Sequence, residues 1–118
     1  MINKVILVGR LGRDPEMRFT PQGTAVTSFP VATDRSWKDE TGADHKETTW
    51  HSIVTWNKLA EVCNDHLTKG RLVYIEGRIH NRDWEDEHQI KHYRTEVIAE
   101  EVKFLDSRRE ETHQELPA

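Results

Sequence analysis

A single cysteine, Cys63, stands in the 118 residues. It has no partner in the chain, so no internal disulfide forms, and a reducing compartment is the expectation. No stretch approaches the roughly 20 apolar residues that a membrane-spanning helix needs. The opening "MINKVILVGRLG" holds a short apolar run, but Arg10 and Arg13 stand where a signal peptide would place small residues, so it reads as a strand. An excess of positive charge is missing as well. Lys and Arg number 17 against 21 Asp and Glu, a net charge of −4, which is not the footprint of a protein basic all over. There is no glycine-rich phosphate loop, and no Ser or Cys lies in a recognisable nucleophile motif. These absences argue against an enzyme.

What is present describes a lean, polar domain. Hydrophobic residues make up 35% and charged residues 32%, and the length suits one domain with a real core. Charge is uneven: residues 1–38 carry six Lys/Arg against three Asp/Glu, whereas residues 106–118 carry two against four. Any anion-binding surface is therefore a local patch. After Asp106 apolar residues vanish until Leu116, which predicts an ordered domain over 1–105 and a short acidic, disordered tail over 106–118.

Segments rich in Val, Ile, Thr and aromatics recur between turn signals. The first covers Asn3–Leu11, where "KVILVG" is apolar on both faces and is expected to be buried on both. "TPQGT" at 20–24 is a turn. A second strand runs from about Ala25 to Ser36 on the anchors Phe29 and Val31, with Pro30 suggesting an edge or a bulge. "KDETGADHKE" at 38–47 reads as a charged hairpin loop, and "TTWHSIVTW" at 48–56 as the third strand. "NKLAEVCNDHLTKG" puts Leu59, Val62, Cys63 and Leu67 on one helical stripe, with Asn57 as N-cap and Lys69–Gly70 as the stop. "RLVYIEGRIHNRDW" follows, with Val73, Ile75 and Ile79 on one face and Tyr74, Arg78, His80, Arg82 and Trp84 on the other. After "EDEHQ" a last strand covers about Lys91–Leu105. The order β–β–β–α–β–β predicts an all-β OB-fold: a five-stranded Greek-key barrel with one helix between strands three and four.

Four tryptophans fall outside the obvious core positions. Alternation places Trp50 and Trp56 on one face of their strand with Ser52 and Val54, and His51, Ile53 and Thr55 on the other. Two indoles would overfill a small barrel, so the expectation is that they face outward; the alternative is that they cap the ends of the core. Trp37 adjoins Lys38, Trp56 precedes Lys58, and Trp84 shares a face with Arg82 and Arg78. Aromatic platforms interleaved with cations suit a single strand of nucleic acid, whose bases offer π-faces that a duplex hides. Acidic Asp83, Glu85, Asp86 and Glu87 around Trp84 weigh against that reading there. His88 and His92 in "HQIKH" have the spacing of a helical zinc pair, but no helix is predicted, no Glu lies between them and Cys63 is distant. Neither a metal nor a cofactor is expected.

"NKVILVGRLGRDPEMRFTPQGTAV", "SWKDETG", "TTWH", "NKLAEV", "KGRLVYIEGRI" and "YRTEV" together resemble, in order and across residues 2–104, the bacterial-type single-stranded DNA-binding proteins. The resemblance implies the same OB-fold, with base stacking on Trp37, Trp50, Trp56 and Trp84 and phosphate contacts from Lys4, Arg18, Lys38, Lys58, Lys69 and Arg82. It implies a homotetramer whose interface takes in Asn3, Lys4, Val5, Ile6, Leu7 and Val8 of the first strand, with His51 and Tyr74. It implies a protein that coats single-stranded DNA during replication, repair and recombination, in the cytoplasm with the nucleoid or in an organellar matrix. The chain departs from the family in having His80 and Asp83 near Trp84 where relatives carry more Lys/Arg. It also lacks their long Gly/Pro/Gln-rich linker and their acidic tip ending in Pro-Phe, through which replication and repair proteins are recruited. An OB-fold primosomal accessory subunit and an RNA-binding module are the alternative readings.

Overall fold

The computed structural model describes residues 1–106. Its elements are β1 (Val5–Leu11), β2 (Glu16–Phe19), β3 (Ala25–Lys38), β4 (Asp44–Trp56), α1 (Asn57–His66), β5 (Leu72–Glu85) and β6 (Lys91–Phe104). Hydrogen-bonded neighbours run β1-β5-β6-β4-β3-β2, and an extra β1–β3 pairing at Arg10↔Ala32 and Leu11↔Val31 closes the sheet. Five strands thus form the expected OB barrel, with α1 between its third and fourth strands. β2 is a short addition to which the sequence reading assigned no element; it pairs with the start of β3 through Glu16↔Ser28 to Phe19↔Ala25.

The core is small and drawn from alternate positions: Leu11, Phe29, Val31, Ile53, Val73, Ile75, Val97 and Ala99 inside the barrel, with Cys63 and Leu67 closing it from the helix. Burial pushes the Cys63 thiol up to about 12, so it behaves as an inert small hydrophobe. Two buried threonines link β3 to the helix and β4 to β3. Thr27 Oγ1 donates to the Ala60 carbonyl at 2.7 Å, and Thr55 Oγ1 donates to the Thr27 carbonyl at 2.9 Å.

Several expectations give way to specific geometry. Pro30 lies in a central strand, not at an edge. Its carbonyl accepts from Gly12 N–H at 2.9 Å on the side away from β4, where β2 has stopped and β1 begins, so its missing donor faces that gap. Trp56, not Asn57, holds the N-cap position of α1, and no side chain caps it. Asn57 instead takes φ +60° as the chain turns straight from strand into helix, a conformation Asn tolerates. The helix stops at His66, before Lys69–Gly70, and Gly70 supplies φ +90° in the turn that follows.

Ile79 does not share burial with Val73 and Ile75; it is 48% exposed. It lies past the Glu76/Gly77 register shift and past Val5↔Gly77, the last pairing of β5 with β1. Gly77 is needed at that shift because a Cβ there would sit 2.1 Å from the Ile98 carbonyl oxygen. The outer face of β1 is open in the single chain: Ile6 and Val8 are 58% and 50% exposed, so burial on both faces would require a second surface. Asp106, assigned by sequence to the tail, is anchored instead. Its carboxylate accepts from Leu72 N–H at 2.9 Å and pairs with Arg10 at 3.0 Å. The remainder of the expected acidic tail lies outside the described residues.

The strands outrun the barrel. The reading of 38–47 as loop is too long, because β3 continues to Lys38 and β4 resumes at Asp44. Register partners extend through Asp34↔Thr48 and Trp37↔His45 to Lys38↔Asp44, leaving only residues 39–43 in the turn. β5 and β6 form a second hairpin through Trp84↔His92 to Glu85↔Lys91. β4 and β6 run parallel where they touch, at Ile53↔Val97 and Val54↔Ile98, so both hairpin arms leave the barrel in the same direction.

Candidate nucleic-acid interface

All four tryptophans face outward. Trp37 is 39%, Trp50 60%, Trp56 40% and Trp84 37% exposed, while Ile53 and Thr55, between the two β4 indoles, are fully buried. Both β4 indoles thus lie outward as the alternation predicts, although Val54 between them on the same face is buried. Trp50 lies over Gly12. A Cβ at that position would come within 2.4 Å of Trp50 Cζ3, so only glycine lets the ring settle there. The hollow beside it is lined by Arg13, Pro30, His51, Ser52 and Arg94.

Trp37 and Trp84 stand on the two arms, each in the same company. Trp37 stacks on His45, its cross-strand partner, with centroids 5.3 Å apart, and the Arg35 guanidinium lies 4.5 Å from the indole centroid. Trp84 stacks on His92 at 5.2 Å, with Arg82 at 4.4 Å. Each histidine is held by an aspartate: His45 Nε2 to Asp39 Oδ2 at 2.7 Å, His92 Nε2 to Asp86 Oδ2 at 2.9 Å. Hydrogen bonds from Thr41 and then His45 hold the Asp39 carboxyl far below the usual carboxylate range, and the hydrogen bond from His92 lowers that of Asp86.

The predicted cations divide. Arg18 and Arg82 line one groove across β2, β3, β4, β5 and β6, and Arg13 and Arg94 join them there. Within it Arg82 faces the buried Glu96 at 3.4 Å, and Arg94 donates to Ser52 Oγ at 3.0 Å. Since Arg13 and Arg94 also line the Trp50 hollow, groove and hollow form one continuous basic and aromatic surface. Lys38 lies beside Trp37 and pairs with Asp44 at 2.6 Å. Lys58 and Lys69 are exposed at the two ends of the helical segment, and Lys69 is tied through its backbone N–H to Asp14 at 2.8 Å. Lys4 stands apart, paired with Glu76 at 2.6 Å on the outer face of β1 and β5. Its ammonium is held above its ordinary range by that hydrogen bond and charge.

Sequence reasoning missed Arg13 and Arg94 in the groove, and Arg35, His45, His92 and Tyr93 on the arms. Arg13 and Arg94 meet only through the barrel closure, so no local pattern announces them. Tyr93 is 72% exposed next to Trp84 and was legible as an aromatic on a predicted strand. His88 and His92 sit on a turn and a strand, and among the described residues no group of three or more His, Cys, Asp or Glu is placed to hold a metal ion.

Of the residues expected at a subunit interface, Lys4, Ile6, Val8 and Tyr74 lie on a different surface, while His51 lines the Trp50 hollow. Ile6 and Val8 point outward opposite Glu76 and Tyr74, and Tyr74 donates to Glu76 Oε1 at 2.8 Å. Asn3 extends the ladder with its side chain: Nδ2 donates to the Ile79 carbonyl and Oδ1 accepts from Ile79 N–H, both at 2.9 Å. Val5 and Leu7 face the core instead. His51 is half-buried, bonded to Thr33 Oγ1 at 2.9 Å, and burial lowers its pKa.

An OB barrel with two long arms, four outward indoles and an arginine-lined groove defines a nucleic-acid-binding class of protein. Residues 2–105 match the profile of the Single-strand binding protein family, and the chain belongs to that family. It is 47% identical over 109 residues to a single-stranded DNA-binding protein of Neisseria meningitidis serogroup A, covering 92% of this chain and 63% of the relative. It is 46% identical over 105 residues to single-stranded DNA-binding protein 1 of Chlorobaculum tepidum, covering 88% and 65%. The chain thus spans less than two thirds of the length of these curated relatives. Among solved structures, the Plasmodium falciparum SSB in complex with single-stranded DNA superposes with a TM-score of 0.81 at 32% identity, covering 90% of this chain and 97% of that one. A deletion mutant of the Thermus aquaticus single-stranded DNA-binding protein gives a TM-score of 0.78 at 34% identity, covering 91% and 52%.

Proposed function

We propose that the protein is a non-catalytic binder that coats single-stranded DNA, with little regard to sequence, and keeps it unpaired during replication, repair and recombination. The observation that carries this is the exposure of all four tryptophans, each with an arginine or lysine close in sequence or space. An indole left in water gains most by covering the π-face of a base, and the neighbouring cations suit the phosphates. The solved Plasmodium relative bound to single-stranded DNA supports the same ligand here. Titrating tryptophan fluorescence with single-stranded DNA, single-stranded RNA and duplex tests it. Strong quenching by single-stranded DNA and little by duplex is expected; equal or better quenching by RNA would replace DNA as the ligand.

The exposed Ile6 and Val8 support a second part of the proposal, that the working unit is a homotetramer. Two β-branched side chains on an outward sheet face, beside Tyr74, suit burial against another copy of the chain. A reducing compartment, the cytoplasm with the nucleoid, is the setting this function implies.

A further inference from the structure

One motif occurs twice. "RSWKDETGADH" (35–45) and "RDWEDEHQIKH" (82–92) carry Arg, Trp, Asp, Glu and His at the same steps. The structure repeats the correspondence atom by atom. Asp39 Oδ1 accepts from Thr41 N–H and Ala43 N–H at 2.9 and 3.0 Å; Asp86 Oδ1 accepts from His88 N–H and Ile90 N–H at 2.8 and 3.0 Å. Asp39 N–H donates to the Ala43 carbonyl and Asp86 N–H to the Ile90 carbonyl, at 3.0 and 3.1 Å. The corresponding residues Gly42 and Gln89 both take positive φ, 86° and 63°. The second oxygen of each aspartate holds a histidine flat against an indole, with interplanar angles of 15° and 18°. Lys38 and Glu85, and Asp44 and Lys91, differ in sign at matching positions, so the shared element is the ring stack and not a charge pattern.

A carboxylate fixed by two backbone donors is a rigid tether, which makes each imidazole part of a fixed surface rather than a loose side chain. Both histidines are still open to solvent, 45% and 41% by side chain. Both arms also leave the barrel in one direction. We infer that His45 and His92 are themselves nucleic-acid-binding residues: each widens the aromatic platform of its arm, Trp37 or Trp84, and the two arms are copies of one base-stacking unit that engage the same strand. This rests on the single-stranded DNA reading above.

The test uses the full chain, an oligo-dT strand, and the variants His45→Ala, His92→Ala, His45→Phe and His92→Phe. Each Ala variant is expected to bind about 5- to 10-fold more weakly, the low end of what losing a stacked base costs, with both arms alike. The Phe variants keep a ring and are expected to stay near the parent affinity, and thermal melts should match the parent throughout. Parent-like binding by the Ala variants overturns the inference, as does a loss confined to one arm. A parent protein that does not bind oligo-dT overturns both this inference and the function it rests on. If the Ala variants melt early, the ring Hε1 resonances of His45 and His92 in the parent decide. A shift of both on adding oligo-dT sustains the inference, and unmoved resonances overturn it.

Discussion

Trp50 carries the clearest test at the level of single residues. It is the most exposed of the four indoles and stands on the strand that buries Ile53 and Thr55 completely. Trp50→Ala is expected to weaken single-stranded DNA binding by about 1–3 kcal/mol, leave the salt dependence of binding nearly unchanged and leave the melt near native. A collapse of the melting temperature would instead make Trp50 a core residue. Gly12→Ala probes the same ring from below. The new methyl would sit 2.4 Å from Trp50 Cζ3, so the indole must move. Weaker binding with an altered tryptophan emission is expected, and parent-like binding would show that the ring's seat on Gly12 is immaterial. Among the cations, Arg94→Ala should flatten the log–log salt slope by about 0.7 for one lost phosphate contact.

Elements are joined here by a few buried polar groups, and these set local stability. Thr27→Val removes the hydroxyl that donates to the Ala60 carbonyl while keeping the volume. A loss of about 1 kcal/mol is expected from equilibrium denaturation, with DNA binding intact because Thr27 is fully buried. Asp106 couples the end of β6 to the start of β5 and to Arg10. Burial pushes its carboxyl upward, but Leu72 N–H and the Arg10 and Arg71 charges outweigh this, so it lies below its ordinary 3.8. A carboxyl depressed in the folded state stabilises at neutral pH, and this contribution is lost as pH falls from about 4 through the folded pKa. Asp106→Asn should therefore melt lower than the parent at pH 7. The difference should shrink as acid protonates the parent's carboxyl, and a constant difference from pH 7 to about 2 would refute the linkage.

The molecule presents two exposed surfaces with different chemistry. One is aromatic and arginine-rich, across the groove and the arms; the other is the apolar outer face of β1 with Ile6, Val8 and Tyr74. If the second is a subunit interface, Val8→Asp should lower the solution mass below that of a tetramer at micromolar protein, and the melting temperature of the parent should rise with concentration. A monomeric parent at moderate salt would remove the basis for this. Lys4 belongs to that second surface through Glu76, so Lys4→Ala is expected to affect assembly more than the salt slope of DNA binding.

The sequence by itself determined what depends on neighbours along the chain. Period-two alternation set which side of "TTWHSIVTW" holds the indoles, apolar anchors such as Phe29 and Val31 marked the core strands, and the i, i+3, i+4 stripe marked the helix. These are local consequences of backbone geometry and need no knowledge of the partner strand. Tertiary structure decided what depends on pairing between distant segments. The junction of Arg13 with Arg18, Arg82 and Arg94 required barrel closure, and the common direction of the arms required the parallel contact of β4 with β6. The exposure of Ile79 followed from the Glu76/Gly77 register shift and the end of the β1 pairing, which composition does not encode. Register and closure are set by the sum of many weak cross-strand contacts, so no single stretch of sequence displays them.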